Sequence, residues 1–245
     1  MRQSILITGC SSGIGLDCAL KFKQNDWLVI ASCRRPQDVE LLKASYNLET
    51  VHIDYEKPET IHSGFKAALA LSGGKIDVLF NNGAYAIPAA VEDLPTDALR
   101  SLFEANFFGW HTLTRLALPI MFKQKSGRII QNSSVLGFAA MRFRGAYNAS
   151  KFALEGLTDT LRLELEGSGV KIILIEPGPI RTKIRENAFA QFQKWVPWQK
   201  SRQRSIYQTE LIPRLSALNP PKDMFELSAS AVSNAVWKAA TCKTP

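Results

Sequence analysis

Six short apolar runs, separated by stretches with helical spacing, constrain this chain more than any other feature. They fall at 4–8, 27–33, 50–54, 77–81, 128–132 and 171–176. Each is nearly continuously apolar rather than alternating, as expected of parallel strands covered by helices on both faces. Gly13–Gln24 repeats at helical spacing through Ile14, Cys18, Leu20 (or Ala19) and Phe22. Pro36 opens the next helix, since a proline in the first turn forfeits no internal hydrogen bond. Further helices are expected near 57–72, 96–124, 146–167 and 228–240. Strand and helix alternating in this way build an α/β doubly wound parallel sheet with right-handed crossovers. No Pro/Gly/Ser-rich linker and no repeat divides the 245 residues. Because α/β folds reach about 250 residues as one domain, a single domain over 1–245 is expected. The stretch 179–227 breaks the period. It carries Pro197, Pro213, Pro220 and Pro221 and many aromatics, and reads as a long excursion from the sheet.

Composition excludes several classes. Hydrophobic residues make up 46% and charged residues 21%, which is ordinary globular usage. No apolar run reaches the 18 or more residues of a membrane span. The N-terminal apolar stretch is too short for a signal peptide, so the cytosol is the expected location. Cys10, Cys18, Cys33 and Cys242 form no C-x-x-C, and His52, His62 and His111 are scattered. Reduced thiols and no metal site are therefore expected. The formal net charge is +8, and much of it is local. Residues 179–214 hold Arg181, Lys183, Arg185, Lys194, Lys200, Arg202, Arg204 and Arg214 against only Glu186 and Glu210. Charge gathered in one segment, with no base-reading motif, argues against nucleic acid.

The first run leads directly into T8-G-C-S-S-G-I-G15. Glycines allow a tight turn and close backbone approach. The helix start behind them offers free N–H groups to a pyrophosphate. The spacing is neither that of a Walker loop nor the usual G-x-G-x-x-G. An NAD site wants an acidic residue at the end of the second strand to hold the ribose 2′-OH. Here the chain reads Ser32-Cys33-Arg34-Arg35, and nothing acidic follows until Asp38. Arginines suit a 2′-phosphate. NADP(H) is expected as the preferred cofactor, held by Ser32, Arg34 and Arg35, with NAD(H) as the alternative.

T8-G-x-x-x-G-I-G15, N81-N-G-A84, Asn106 in A-N-F-F-G, Ser134 in N-S-S-V, Y147-N-A-S-K151 and E176-P-G-P-I-R-T182 follow in order. As an ordered set over nearly the whole chain, they resemble the short-chain dehydrogenase/reductase family. Within it they look most like NADP-dependent reductases related to hydroxysteroid and retinol dehydrogenases. The resemblance implies a Rossmann-type sheet of six or seven strands in the order 3-2-1-4-5-6. It implies that Gly9, Ser11, Ser12, Gly13, Ile14 and Gly15 wrap the pyrophosphate and ribose, and that Asp54 meets the adenine. Asn81, Asn82 and Gly83 would lie beside the adenine-side ribose, and Pro177, Gly178, Ile180 and Thr182 along the nicotinamide. Ser134, Tyr147 and Lys151 would be catalytic, with Asn106 completing a tetrad. Two departures stand out. The family's Asn-Asn-Ala-Gly is Asn81-Asn82-Gly83-Ala84 here, which leaves the turn conformation open. The sequence also stops at Lys243-Thr244-Pro245, before the family's seventh strand, which is either absent or omitted.

Tyr147 and Lys151, four apart, share a helix face. A phenol titrates near ~10 unperturbed, and a neighbouring ammonium is expected to lower it by about 2–3 units, making Tyr147 a usable acid/base. Tyr147 would then protonate a carbonyl oxygen that Ser134 also binds. Lys151 would hold the nicotinamide ribose, Asn106 would place a relay water, and the cofactor would supply the hydride chemistry. The segment 183–227, with Phe189, Phe192, Trp195, Trp198 and Tyr207, would be a substrate lid suited to a lipophilic carbonyl or alcohol, unless these aromatics only pack it down. Its basic residues suggest attraction of an acidic substrate or weak contact with an anionic membrane surface. A cofactor-binding sensor or scaffold with little catalysis is the competing class. The helices near 96–124 and 146–167 are expected to form a homodimer or homotetramer interface.

Overall fold

A computed structural model describes residues 2–217 and 223–244 of the chain. Six strands, β1 (Ser4–Ile7), β2 (Leu28–Cys33), β3 (Glu49–His52), β4 (Val78–Asn81), β5 (Gly127–Asn132) and β6 (Val170–Ile175), form one parallel sheet in the order β3-β2-β1-β4-β5-β6. The helices are α1 (Gly13–Gln24), α2 (Pro36–Tyr46), α3 (Pro58–Leu71), α4 (Thr96–Phe103), α5 (Gly109–Gln124), α6 (Gly145–Glu164), α7 (Ile184–Trp195), the short α8 (Arg204–Ile206) and α9 (Ile212–Ser216), and α10 (Ala229–Thr241). Among the described residues no helix is long and apolar enough to cross a membrane. Pro220 and Pro221 lie outside the described residues.

The near-continuous apolarity of the runs is explained by two cores. Along β1, Leu6 faces one core while Ile5 and Ile7 face the other, and Ile30 in β2 and Leu79 in β4 alternate with their neighbours in the same way. The first core is closed by α3, α5 and α6, through residues such as Phe65, Trp110, Leu113 and Leu154. The second is closed by α1, α2 and α10, through Phe22, Leu42 and Val236. Since side chains alternate between the faces of a strand, a strand buried on both is mostly apolar, and its buried polar residues (Ser4, Ser32, Asn81, Gln131 and Asn132) lie at or next to strand ends.

Cys10, Cys18 and Cys33 are buried free thiols in or against the second core, and Cys242 is partly exposed. Burial pushes the Cys33 thiol up to about 12, with Asp38 adding to it, and raises Cys10 and Cys18 as well. The helix expected over 96–124 is not regular throughout. A π-turn, Glu104–Phe108, separates α4 from α5 and contains Asn106.

Candidate active site

The parallel sheet brings the C-terminal ends of its strands to one edge, where ligands bind in open α/β folds. At this edge β1 turns into α1 through Gly9 (φ +68°) and Gly13 (φ +60°), a left-handed backbone that only glycine adopts freely. A Cβ on Gly15 would lie 2.3 Å from the Gly9 carbonyl oxygen, so the helix packs directly on its own turn. Ser12 starts α1 without any side-chain cap, and the first turn holds no acidic residue. Uncapped N–H groups behind a glycine cradle fit the pyrophosphate of a dinucleotide. Thr182 crosses this helix start, its Cγ2 3.1 Å from where a Gly13 Cβ would sit.

The turn is held from beneath by Thr8, a residue the sequence reading left unassigned. Its hydroxyl oxygen accepts from Asn82 N (2.8 Å), Gly83 N (3.2 Å) and the Tyr55 hydroxyl (2.9 Å). Asn81 is fully buried, and its amide is spent within the interior on Tyr55, Thr114 and Gln131. Asn82 joins the glycine turn to β5, donating to Thr8 O (2.9 Å) and accepting from Asn132 Nδ2 (2.9 Å). The exchanged Gly83-Ala84 pair leaves the turn ordinary. Neither residue has a positive φ, and a Cβ on Gly83 would come no nearer than 3.4 Å to any neighbour. Asp54 lies in the turn before α3, its Oδ1 accepting from Glu56 N and its backbone N–H donating to Thr60.

At the end of β2 the two arginines separate. Arg35 is taken up in a two-point ion pair with Asp38 (2.8 and 2.9 Å). Arg34 is exposed, and among the described residues its guanidinium has no hydrogen-bond or ion-pair partner. Ser32 is wholly buried with an unpartnered hydroxyl, so its side chain does not stand in solvent beside Arg34.

Ser134, Tyr147 and Lys151 converge where β5 meets α6. Ser134 caps the 3₁₀ turn Val135–Gly137, accepting from Leu136 N (3.1 Å) and donating to Pro177 O (3.3 Å). That second bond ties the β5 loop to the loop after β6, which carries Gly178 and Ile180. Lys151 is fully buried. Its Nζ donates to the Asn132 carbonyl (2.7 Å) and lies 4.2 Å from the centre of the Trp110 ring and 5.5 Å from that of Tyr147. The expected lowering of the tyrosine is not what this environment produces. Burial pushes the Tyr147 phenol up to about 12, against a smaller lowering from hydrogen bonding with Ser134. Burial also pulls Lys151 down to about 7, opposed by the Glu155 carboxylate. Water is lost by both groups at once, so desolvation outweighs their mutual attraction. Asn106 sits in the π-turn with its amide clamped to the Tyr85 backbone, accepting from N (3.1 Å) and donating to O (2.9 Å). That clamp accounts for the break in an otherwise helical stretch.

The aromatics of the basic segment are packed onto the body of the protein, and four of its eight basic residues are ion-paired. Phe192 and Tyr207 are fully buried in the first core, and Phe189, Trp195 and Trp198 pack against it. The Tyr207 hydroxyl donates to Asp93 (2.6 Å) and accepts from Ala90 N (2.8 Å). Arg181 pairs with Glu226, Arg185 and Arg214 with Asp223, and Arg202 with Glu92. All three acidic partners lie outside 179–214, which is why a count over that window overstates the charge. Of the residues whose roles only the structure reveals, Tyr55 and Trp110 gave no pattern to find, and Thr8 stood at the head of the glycine motif without a role. Glu155 did, because it stands four residues beyond Lys151, as Lys151 stands beyond Tyr147.

Residues 3–193 match the family model described as short chain dehydrogenase. This chain is a member of the short-chain dehydrogenase/reductase family. It is 44% identical over 187 residues to an uncharacterized Escherichia coli oxidoreductase, YbbO, covering 76% of this chain and 69% of that one. It is 33% identical over 198 residues to human retinol dehydrogenase 8, covering 77% of this chain and 62% of the relative. Among solved structures, a serine dehydrogenase complexed with NADP+ superimposes with a TM-score of 0.80 at 25% identity, over 98% of this chain and 90% of that one. As a short-chain dehydrogenase/reductase, the protein is an oxidoreductase acting on CH–OH groups.

Proposed function

We propose that this protein is an NADP(H)-dependent oxidoreductase that interconverts a lipophilic carbonyl and its alcohol, with Tyr147 as the general acid/base. The observation that carries this reading is the convergence of Ser134, Tyr147 and Lys151 beside the uncapped start of α1. The NADP+ held by the serine dehydrogenase and the free Arg34 support the choice of cofactor. When bound, the nicotinamide supplies or accepts the hydride. Gly9, Ser11, Ser12, Gly13, Ile14 and Gly15 form its phosphate cradle, Arg34 takes the 2′-phosphate, and Pro177, Gly178, Ile180 and Thr182 line its far end. Tyr147, raised to about 12 by burial, is protonated across the neutral range. This is the form that gives a proton to a carbonyl oxygen. Ser134 donates a second hydrogen bond to the same oxygen and fixes its position. Lys151 in its charged form stabilises the phenolate left behind, and Asn106 shapes the backbone around it.

A lipophilic substrate is supported by Phe138 and Met141, 62% and 56% exposed. They stand on the loop between Ser134 and Tyr147, a loop that Asn148 clasps through Leu136 O and Ala139 O. The likeness to retinol dehydrogenase 8 points the same way. We read residues 1–245 as one domain with 183–227 as a lid, and α5 and α6 as the self-association faces. The test is an NADPH-oxidation screen over aldehydes, ketones, retinoids and steroids, with Tyr147→Phe as control. The variant is expected to keep cofactor affinity and to lose about 10²–10⁴-fold in turnover. Undiminished turnover would overturn the assignment of Tyr147. If neither protein turns over any carbonyl while both bind NADPH, the sensor reading replaces this one.

A further inference from the structure

Tyr147, Lys151 and Glu155 stand at i, i+4 and i+8 on α6, so they line one face of the helix. Beyond Lys151 that face meets the end of β5 at a set of buried polar atoms without protein partners: Asn132 Oδ1, Ser133 Oγ, Glu155 Oε1 and Thr158 Oγ1. Ser133 and Thr158 are 3% and 1% exposed. Gly137 closes over two of them. A Cβ there would lie 2.7 Å from Glu155 Oε1 and 2.9 Å from Ser133 Oγ, so the glycine leaves room for the carboxylate. Glu155 also lines a solvent-open cavity of about 290 Å³ between α6 and β6, together with Asp159, Arg162 and Glu176. It thus has one side against the buried lysine's surroundings and the other toward water. Burial raises the Glu155 carboxyl above its ordinary value, opposed by the Ser133 hydroxyl and by Lys151, while its open side gives the ionised form water and lets its charge reach an ammonium that has none.

We propose that Glu155 is a positioning residue for the same reaction: its carboxylate, set beside Ser133 beneath Gly137 and hydrated through the α6–β6 cavity, keeps the buried Lys151 charged. The charges and titratable groups around the pair are few. Tyr147 and Glu155 share α6 with Lys151, while α5 presents the Trp110 ring and β5 the Asn132 carbonyl. Around Glu155 stand Asp159 on α6, Glu176 after β6 and the Ser133 hydroxyl, with Arg162 lining the cavity beside an Asp159 it pairs with. The carboxylate of Glu155 favours the ammonium, so removing its charge lets Lys151 lose its proton at lower pH.

The inference rests on the assignment of Tyr147 and Lys151, and its test separates the two. In Glu155→Gln, without cofactor, the titration midpoint of the Lys151 side chain, followed by NMR of lysine-labelled protein, is expected to fall by about one pH unit. The limb of the kcat profile that is lost on raising the pH should move down with it. Glu155→Asp restores the charge and is expected to bring both back toward the parent values. A midpoint and limb that superimpose on the parent's, while Tyr147→Phe is inactive, overturn the role of Glu155 alone. Retained turnover in Tyr147→Phe overturns the reading of the site instead. Should Glu155→Gln fail to fold, Ser133→Ala is judged by the same criterion. Loss of the hydroxyl beside the carboxylate disfavours the ionised form of Glu155, so a shift to lower pH supports the role and an unmoved profile overturns it.

Discussion

A side chain in this site is defined as much by what already occupies it as by its type. Arg34 and Arg35 are equivalent in the sequence, yet Asp38 holds one and leaves the other to solvent. Arg34→Ala is therefore expected to lower kcat/KM for NADPH by about 10- to 100-fold, the worth of a charge-assisted hydrogen bond. It should leave the NADH value nearly unchanged, and Arg35→Ala should have a smaller effect on both, as steady-state kinetics with the two cofactors will report. Lys151 gives a second prediction. It titrates near 7 in the fold against 10.5 unperturbed. Between these values the unfolded chain binds more protons than the native one, so this residue makes stability rise with pH across that interval. Below pH 7 the cost of burying its charge is borne in full. Without cofactor, the melting temperature of Lys151→Met relative to the parent should be most favourable at or below pH 7. That advantage should shrink steadily toward pH 10, as calorimetry over this range will show.

At the scale of elements, the strands and most helices are legible in the sequence because their signal is local. An apolar run of 5–7 residues buried on both faces reads as a strand whatever surrounds it, and the six runs at 4–8 through 171–176 match β1–β6 within a few residues. The π-turn at Glu104–Phe108 was not legible, since its cause is a contact between Asn106 and Tyr85, 21 residues away. Nor was the fate of the aromatics in 183–227. Composition marks Tyr207 as an aromatic lid residue, but only the fold reveals that its hydroxyl is met by Asp93, 114 residues earlier. That bond makes the segment's attachment testable. Tyr207→Phe leaves Asp93 short of a donor and is expected to cost about 1–3 kcal/mol. Limited proteolysis should cut the segment around 196–204 faster in this variant than in the parent.

For the whole molecule, the order of the sheet followed from alternation and family resemblance together, and the site's location followed from the sheet. The electrostatic balance did not, because a window of sequence cannot count the partners that folding supplies. Glu92, Asp223 and Glu226 pair with four arginines of a stretch that looked strongly basic, Asp223 with two of them. Elsewhere the surface keeps apolar residues that no neighbour covers. On α6, Phe152 and Leu163 are 47% and 76% exposed, and on and beside α5 Phe122 and Phe108 are 45% and 46% exposed. If α5 and α6 are the self-association faces, Phe152→Glu with Leu163→Glu should reduce the parent oligomer to smaller species in sedimentation velocity while the fold is retained by circular dichroism. The thiols, finally, set how the protein can be handled. Cys10, Cys18 and Cys33 lie in the second core with their ionisation suppressed, while Cys242 sits at the end of α10, its carbonyl bound by Arg128 from β5. A maleimide dye at neutral pH should therefore attach at a single position, giving a fluorescent reporter anchored to the sheet without any engineered cysteine.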